Sequence, residues 1–310
     1  WGGERLHTIF HKEIALSPLA ETWECSTHPD GLSIVASGEH TGYTLRDVLR
    51  AHPEYYGKHY LPDGELPILV KLIDAKADLS VQVHPDDEYA DFRYGTGGKT
   101  EMWYVLDTQP ESEIVLGFKR NVTENEIRRY LRQNSLEDIL QSFRVKRGDA
   151  VFIPSGTVHS LGAGLQVAEI QQSSDITYRL YDYGRRDKDG NLRDLHINDA
   201  IEVLHKGRAE ELLLDYDGSQ KKALLKQCQY FTTNLLTLDG AMLRDYSTTD
   251  SFVVYMCIEG SAEVRTVNNE PVVVENGQAM LLPAKIDAAA IIPKSERTKI
   301  LETFIENQED

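Results

Sequence analysis

In the run Leu79-Ser80-Val81-Gln82-Val83-His84, Gln82 and His84 stand two residues apart. Alternation along a strand places both side chains on one face, offering a neutral amide oxygen and an imidazole nitrogen to the same point. Glu101 opens the next apolar run, Met102-Trp103-Tyr104-Val105-Leu106, and adds an anionic oxygen. His159 follows the turn Gly148-Asp149…Pro154, where a further strand brings it opposite. Nitrogen and oxygen donors converging from adjacent strands suit a borderline divalent cation, zinc foremost, and a set of four leaves room for water or substrate. Alone, a histidine in a strand is more often a hydrogen-bonded core or surface residue. His28 and His52, which precede proline as His84 does, read as turn residues. His84 differs in having a same-face Gln and a strand-opening Glu beside it. Asp187-Lys188-Asp189-Gly190-Asn191 superficially resembles a calcium loop, but its Gly comes too early and no Glu closes it, so it reads as a turn.

Strands must position these residues. Runs rich in β-branched and aromatic residues and bounded by Pro, Asp and Gly cover 68–73, 79–84, 102–106, 112–118, 150–153 and 165–171. They resume at 230–238, 252–258, 262–267, 271–274 and 279–282. Thr123-Glu124-Asn125-Glu126 is a capping box for a helix through Tyr130 and Leu131, and Ser135-Leu136-Glu137-Asp138 starts a second helix toward Phe143. A third helix runs from Asn198 to about His205. The segment after Tyr183, rich in Asp, Lys and Arg, reads as a solvated connector. The expected fold is mainly β, with antiparallel barrels and a few helices packed outside.

The chain repeats itself. Val145-Lys-Arg-Gly148-Asp-Ala-Val-Phe-Ile-Pro154 has a counterpart in Val274-Glu-Asn-Gly277-Gln-Ala-Met-Leu-Leu-Pro283, with Gly and Pro six apart in both. Two barrels of one type are implied. Five residues past Pro283 stands Ala288, not His, and the strand matching that of Glu101 offers Val253. The division expected is therefore a metal-binding domain over 1–226, with helical insertions and a connector, and a barrel over 227–310 without ligands. One metal per chain follows.

Bulk properties set limits. A chain of 310 residues buries a core without needing a metal staple, so stability does not explain the ligand set. A formal net charge of −17 excludes a nucleic-acid surface, and no apolar run is long enough to span a membrane. The chain opens at Trp1 with no basic or apolar leader, and Cys25, Cys228 and Cys257 are widely spaced and odd in number. These features fit reduced thiols in a cytoplasmic protein.

The segments Leu79 to Asp87, Lys99-Thr100-Glu101 and Pro154-Ser155-Gly156-Thr157-Val158-His159-Ser160 resemble the type I mannose-6-phosphate isomerases. So do Trp1-Gly2-Gly3, Glu21-Thr22-Trp23-Glu24, Lys71 eleven residues before Gln82, and Ser174 to Arg179. At this length, with Tyr181-Asp182-Tyr183-Gly184-Arg185, the chain is similar to the short bacterial form. The resemblance implies a pair of cupin-type jelly rolls, with one zinc ion on the residues matching Gln82, His84, Glu101 and His159. It also implies a phosphorylated hexose as substrate, and interconversion of mannose 6-phosphate and fructose 6-phosphate through a cis-enediol.

That reaction removes a weakly acidic proton beside a carbonyl, so it needs a base, a proton donor and stabilisation of the enediolate. Lys99 lies two residues before Glu101 and shares its face. By resemblance Arg179 and Glu169 join Lys99 as the catalytic set, while Ser80, Lys71 and Arg185 meet the phosphate. The base stays open among Glu169, metal-bound water and His84, and register leaves Arg185 or Arg186 facing the phosphate. The bland alternatives are a solvent-facing strand lysine for Lys71 and a salt bridge to Asp175 or Asp182 for Arg179. Two competing functions are a non-catalytic zinc-containing sugar sensor, against which Lys99, Glu169 and Arg179 all speak, and an iron-dependent oxygenase, which would not need Gln82.

Overall fold

The computed structural model describes residues 1–59, 61–186, 189–209 and 212–306. Asp187 and Lys188 of the segment read as a turn lie outside these, as do the last four residues of the expected C-terminal domain. The chain is mainly β, with antiparallel sheets and short helices. It divides into two compact units. One comprises Trp1–Glu4, Leu16–Ala20 and Ile73–Leu214; the other comprises Arg5–Ala15, Glu21–Leu72 and Asp215–Asp310. This differs from a single cut at 226/227, because N-terminal segments group with the C-terminal strands. Short-range packing explains the grouping: Lys12 Nζ donates to the Gly277 carbonyl at 2.7 Å, and Phe10 lies against Gly277.

The second unit begins with α1 (Arg5–Thr8), β1 (Glu21–Cys25), α2 (Leu45–Ala51) and most of β2 (Ile68–Asp74). The first unit holds β3 (Val81–Val83), α3 (Asp87–Tyr94), β4 (Glu101–Asp107), β5 (Glu113–Phe118), α4 (Glu124–Arg132), β6 (Leu140–Arg144) and β7 (Ala150–Ile153). It continues through β8 (His159–Leu161), β9 (Gln166–Gln172), β10 (Tyr178–Tyr181), α5 (Ile197–Val203) and β11 (Leu213–Leu214). One sheet carries β9, β4, β7 and β11 in that order, and the other carries β10, β3, β8, β5 and β6. Trp103, Val105, Ile114, Leu116, Val151, Ile153, Leu161 and Val167 fill the interior. On the same inward faces, two residues further along, stand Glu101 on β4 and His159 on β8. The apolar end of each strand anchors a polar end at the site.

The capping box forms as expected, with Thr123 N donating to Glu126 at 2.9 Å, and Ile127 of α4 packs with Leu136, Tyr181 and Ala200. The helix expected from Ser135 toward Phe143 does not form. Ser135 makes no side-chain cap, a single 3-10 turn covers Leu136–Asp138, and β6 follows, pairing with β5. Strand pairing through Leu140, Ser142, Phe143 and Arg144 outweighs the weak helical preference of an uncapped start. α3 has no counterpart in the expectations, although Asp86 caps it by accepting from Tyr89 N at 2.9 Å and Gly95 ends it at φ 67°.

In the second unit β12 (Lys222–Gln227), β13 (Thr232–Leu238), β20 (Thr298–Phe304), β15 (Val253–Glu259) and β18 (Ala279–Leu282) form one sheet. β14 (Met242–Asp245), β19 (Ala288–Pro293), β16 (Ser261–Thr266) and β17 (Val272–Glu275) form the other. The repeat is structural. Gly148 N donates to Val105 O and Gly277 N to Cys257 O, at 2.9 and 2.8 Å, with φ of 92° and 84° at turns that only glycine enters without strain. Glu101 pairs with Ile153 while Val253 pairs with Leu282, and Gln82 pairs with His159 while Asp245 pairs with Ala288. Register thus sets Val253, Ala288 and Asp245 where the first unit has Glu101, His159 and Gln82.

Trp103 opposite Glu169 likewise has its counterpart in Tyr255 opposite Glu302. Here the carboxylate is saturated: Glu302, fully buried, accepts from Asn234 at 2.8 Å, from Arg244 at 2.7 and 3.1 Å, and from Tyr246. Arg244→Met strands this carboxylate and is expected to cost about 3 kcal/mol. Guanidinium unfolding followed by circular dichroism measures it, and an unchanged midpoint would show that the network carries no stability.

Candidate functional site

Gln82 occupies the middle of β3, with His159 of β8 as its cross-strand partner on one side and Arg179 of β10 on the other. Three functional side chains thus form a row across one sheet. His84 follows β3, where its carbonyl accepts from Gly156 N at 2.8 Å, tying the Pro154–Val158 turn beneath it. Glu101 stands across the interior on β4.

His84 Nε2 lies 3.5 Å from Glu101 Oε2, and His159 Nε2 lies 3.3 Å from Glu101 Oε1; all three residues are buried. A tetrahedral ion with bonds of about 2.1 Å requires ligand-to-ligand edges of about 3.4 Å, so these spacings fit a metal. The Gln82 amide Nε2 is 3.3 Å from His159 Nε2, and a half-turn of the amide would present its oxygen to the same point. Both imidazoles are fixed from behind: Nδ1 of His84 faces Ile176 O at 2.8 Å, and Nδ1 of His159 faces Thr157 O at 2.9 Å. Donation from Nδ1 leaves each Nε2 lone pair directed at the centre, the tautomer that a metal ligand needs. Burial lowers the His159 pKa to about 4, an effect that the bond to Thr157 and the Glu169 charge oppose and the Lys99 charge reinforces. The ring is neutral at physiological pH and able to ligate.

Around this group the expected side chains are largely assembled. Lys99 Nζ lies 3.3 Å from Glu101 Oε2, with the lysine only 5% exposed. Glu169 is buried on β9, and its Oε2 accepts from Trp103 Nε1 at 2.7 Å, while the Trp103 ring stands edge-on to His159 at 5.6 Å. Arg179 donates from Nε to Ser80 Oγ at 3.3 Å and from Nη1 to Asp194 O at 2.9 Å. Burial lowers the Arg179 pKa and the Arg193 and Arg185 charges lower it further, against the pull of Asp182 and Asp194. Its guanidinium therefore sits in a cationic field.

Arg185, not Arg186, turns toward this cluster. It donates to Asp78 O and Asp182 Oδ1 and lies over the Tyr183 ring, whereas Arg186 donates to Gly190 O at 2.7 Å within its own hairpin. Of the two carboxylates named as bland partners for Arg179, Asp182 is engaged by Arg185. Lys71 belongs to the other unit; its ammonium is buried 3.8 Å from Glu21 Oε1 and 4.7 Å from the Trp23 ring centre, so it is not a solvent-facing strand lysine.

Trp103 and Arg193 belong to this set without having been singled out from the sequence. Trp103 carried a signal, since it stands two residues past Glu101 on the same face. Arg193 carried none, because a loop that returns through the Arg186–Leu192 bridge places it 3.7 Å from Asp182.

Comparison with known proteins converges on one family. The model for phosphomannose isomerase type I, catalytic domain, matches residues 1–128, and that for mannose-6-phosphate isomerase, cupin domain, matches residues 220–296. Mannose-6-phosphate isomerase ManA of Bacillus subtilis (strain 168) is 37% identical over 91% of this chain and 89% of its own length. The mannose-6-phosphate isomerase of Streptococcus mutans is 35% identical over 92% of this chain and 89% of its own. Among solved structures, the mannose 6-phosphate isomerase from Bacillus subtilis superposes with a TM-score of 0.88 at 31% identity, covering 98% of this chain and 95% of that one.

Proposed function

The chain belongs to the type I mannose-6-phosphate isomerases, and from that premise we propose that it converts mannose 6-phosphate to fructose 6-phosphate through a cis-enediol, with one zinc ion held by Gln82, His84, Glu101 and His159. The observation that carries the metal assignment is the 3.3 and 3.5 Å spacing of two buried imidazole nitrogens from one buried carboxylate. A bound zinc ion supplies Lewis acidity, orienting the sugar oxygens and offsetting enediolate charge.

The chain's own groups divide the remaining work. Glu169, oriented through Oε2 by the Trp103 indole, is assigned as the base that takes the proton from C2 and returns it at C1. Lys99 donates to the oxygen that becomes the hydroxyl, and Arg179 holds the developing enediolate oxygens with a planar fork of donors. Ser80 and Arg185 take the phosphate. We assign catalysis to the 1–226 domain and a structural role to 227–310, where Val253, Ala288 and Asp245 stand at the ligand positions. The free thiols of Cys25, Cys228 and Cys257 support a cytoplasmic setting. A sensor without turnover would have no use for Lys99, Glu169 and Arg179 around the same ligands.

The test is turnover in deuterated water. Fructose 6-phosphate formed from mannose 6-phosphate should carry deuterium at C1, because the abstracted proton exchanges with solvent during the enediol's lifetime. Turnover with complete retention of the substrate hydrogen would replace the enediol by direct hydride transfer, and absence of turnover would restore the sensor.

A further inference from the structure

β10, which carries Arg179, lies at the edge of its sheet with β3 on one side, and its register with β3 is irregular between Arg179 and Tyr181. An edge residue turns peptide groups away from the ladder, and buried or half-buried ones need partners from elsewhere. At Arg179 one residue supplies both. His196 Nδ1 accepts from Arg179 N at 3.1 Å, and His196 N donates to Arg179 O at 2.8 Å. Two residues earlier the Asp194 carbonyl accepts from Arg179 Nη1 at 2.9 Å. The segment 194–196 therefore holds this arginine by its peptide and by its guanidinium. Backbone groups make two of those three contacts, so the Nδ1 contact is the one that depends on the identity of a side chain.

Two further observations set His196 apart. It occupies the N-cap position of α5, where a side-chain acceptor ordinarily serves the first turn of its own helix; it makes no such bond, and its acceptor is turned to β10 instead. Accepting at Nδ1 also requires the tautomer with its hydrogen on Nε2, the reverse of His84 and His159, whose Nδ1 atoms face carbonyl oxygens. Packing fixes where the ring stands: Ala200 and Ile201 of α5 share a core with Tyr178 and Leu180 of β10, and the His196 ring centre is 6.3 Å from that of Tyr178. We propose that His196 is a positioning residue for the isomerisation, fixing the Arg179 peptide through Nδ1 and with it the direction in which the guanidinium meets the enediolate. The inference rests on the assignment of Arg179 to that charge. Donors that act on charge developing in the transition state lose effect steeply when displaced, since a shift of about 1 Å costs on the order of a hundredfold.

Three replacements in the metal-loaded protein separate the acceptor from the bulk of the ring. Asn carries its Oδ1 as many bonds from Cβ as Nδ1 stands, whereas Gln reaches one bond farther and Ala offers no acceptor. His196→Ala and His196→Gln should lower kcat about tenfold to a hundredfold, with KM for mannose 6-phosphate changed less than about threefold and zinc still at one per chain. His196→Asn should recover kcat to within about threefold of the parent. In an Arg179→Ala background His196→Ala should cost less than about twofold more, because the side chain it positions is gone. A kcat in His196→Ala equal to the parent's, a loss confined to KM, an Asn variant as slow as the Ala variant, or losses that multiply in the double variant overturns the proposal. Nitrogen-15 NMR should show His196 without hydrogen on Nδ1, and amide exchange at Arg179 should quicken in His196→Ala but not in His196→Asn; a ring protonated at Nδ1, or exchange unchanged in His196→Ala, overturns it as well. These two readouts need no turnover. A parent that fails to isomerise mannose 6-phosphate would refute the proposed function, while they still decide whether His196 holds Arg179.

Discussion

Protein stripped of metal by chelation and dialysis will lose at least about a thousandfold in initial rate, and zinc added back in equimolar amount will restore it. The size follows from the charge to be stabilised: removing a cation from beside a developing enediolate in a dry site costs several kcal/mol, and each 1.4 kcal/mol is tenfold. His84→Ala and His159→Ala should fall to the same level and bind less than one zinc per chain by atomic emission. Their Nε2 atoms stand 3.5 and 3.3 Å from Glu101, so either replacement opens one edge of the ligand cage. Both rings are held through Nδ1 to backbone carbonyls, which keeps the other in place when one is removed, and the fold should survive with an unchanged circular dichroism spectrum. Undiminished turnover in demetallated protein would sink the metal assignment. Iron instead of zinc in protein expressed without added zinc would sink its identity. The second barrel supplies a control, since Ala288→His alone should add no metal: Val253 still stands where a carboxylate is needed.

Much of this site could be read from spacing because strand geometry is regular. Gln82 and His84, or Lys99 and Glu101, share a face by alternation alone, and the Gly-to-Pro repeat locates the turn that delivers His159. Long-range closures could not be read in that way. Ile176 reaches His84 Nδ1 across a separation of 92 residues, and Trp103 meets Glu169 across 66. Nothing local encodes either. The helix misassigned after Ser135 marks the same limit from another side, since pairing with β5 decided its conformation. The grouping of residues 5–15 with the C-terminal strands rests on Lys12 reaching Gly277, 265 residues away, and no composition shift announces it. Only their partners in the folded chain separate Arg185 from Arg186: Asp182 and the distant Asp78 engage the first, and Gly190 engages the second.

Arg179→Ala should reduce kcat by about two to four orders of magnitude while leaving zinc content at one per chain. The argument turns on where Arg179 is attached. Among the described residues its side chain donates from Nε to Ser80 and from Nη1 to Asp194, not to the four proposed ligands, so truncation removes donors from the substrate side and leaves the cage intact. The cross-strand pairing with Gln82 is a backbone relation that alanine preserves. A guanidinium held in place yet repelled by Arg185 and Arg193 gains more than an isolated one from charge developing on the substrate, because the new anion relieves that repulsion as well as accepting hydrogen bonds. The loss should therefore appear in kcat rather than KM. Arg179→Lys keeps the charge without the fork and should fall between alanine and the parent. Ser80→Ala should cost less than tenfold through this contact, since Ser80 only steadies Nε at 3.3 Å. Zinc lost in proportion to activity in Arg179→Ala would make the arginine a structural support of the ligand row, and a loss confined to KM would move it to the phosphate.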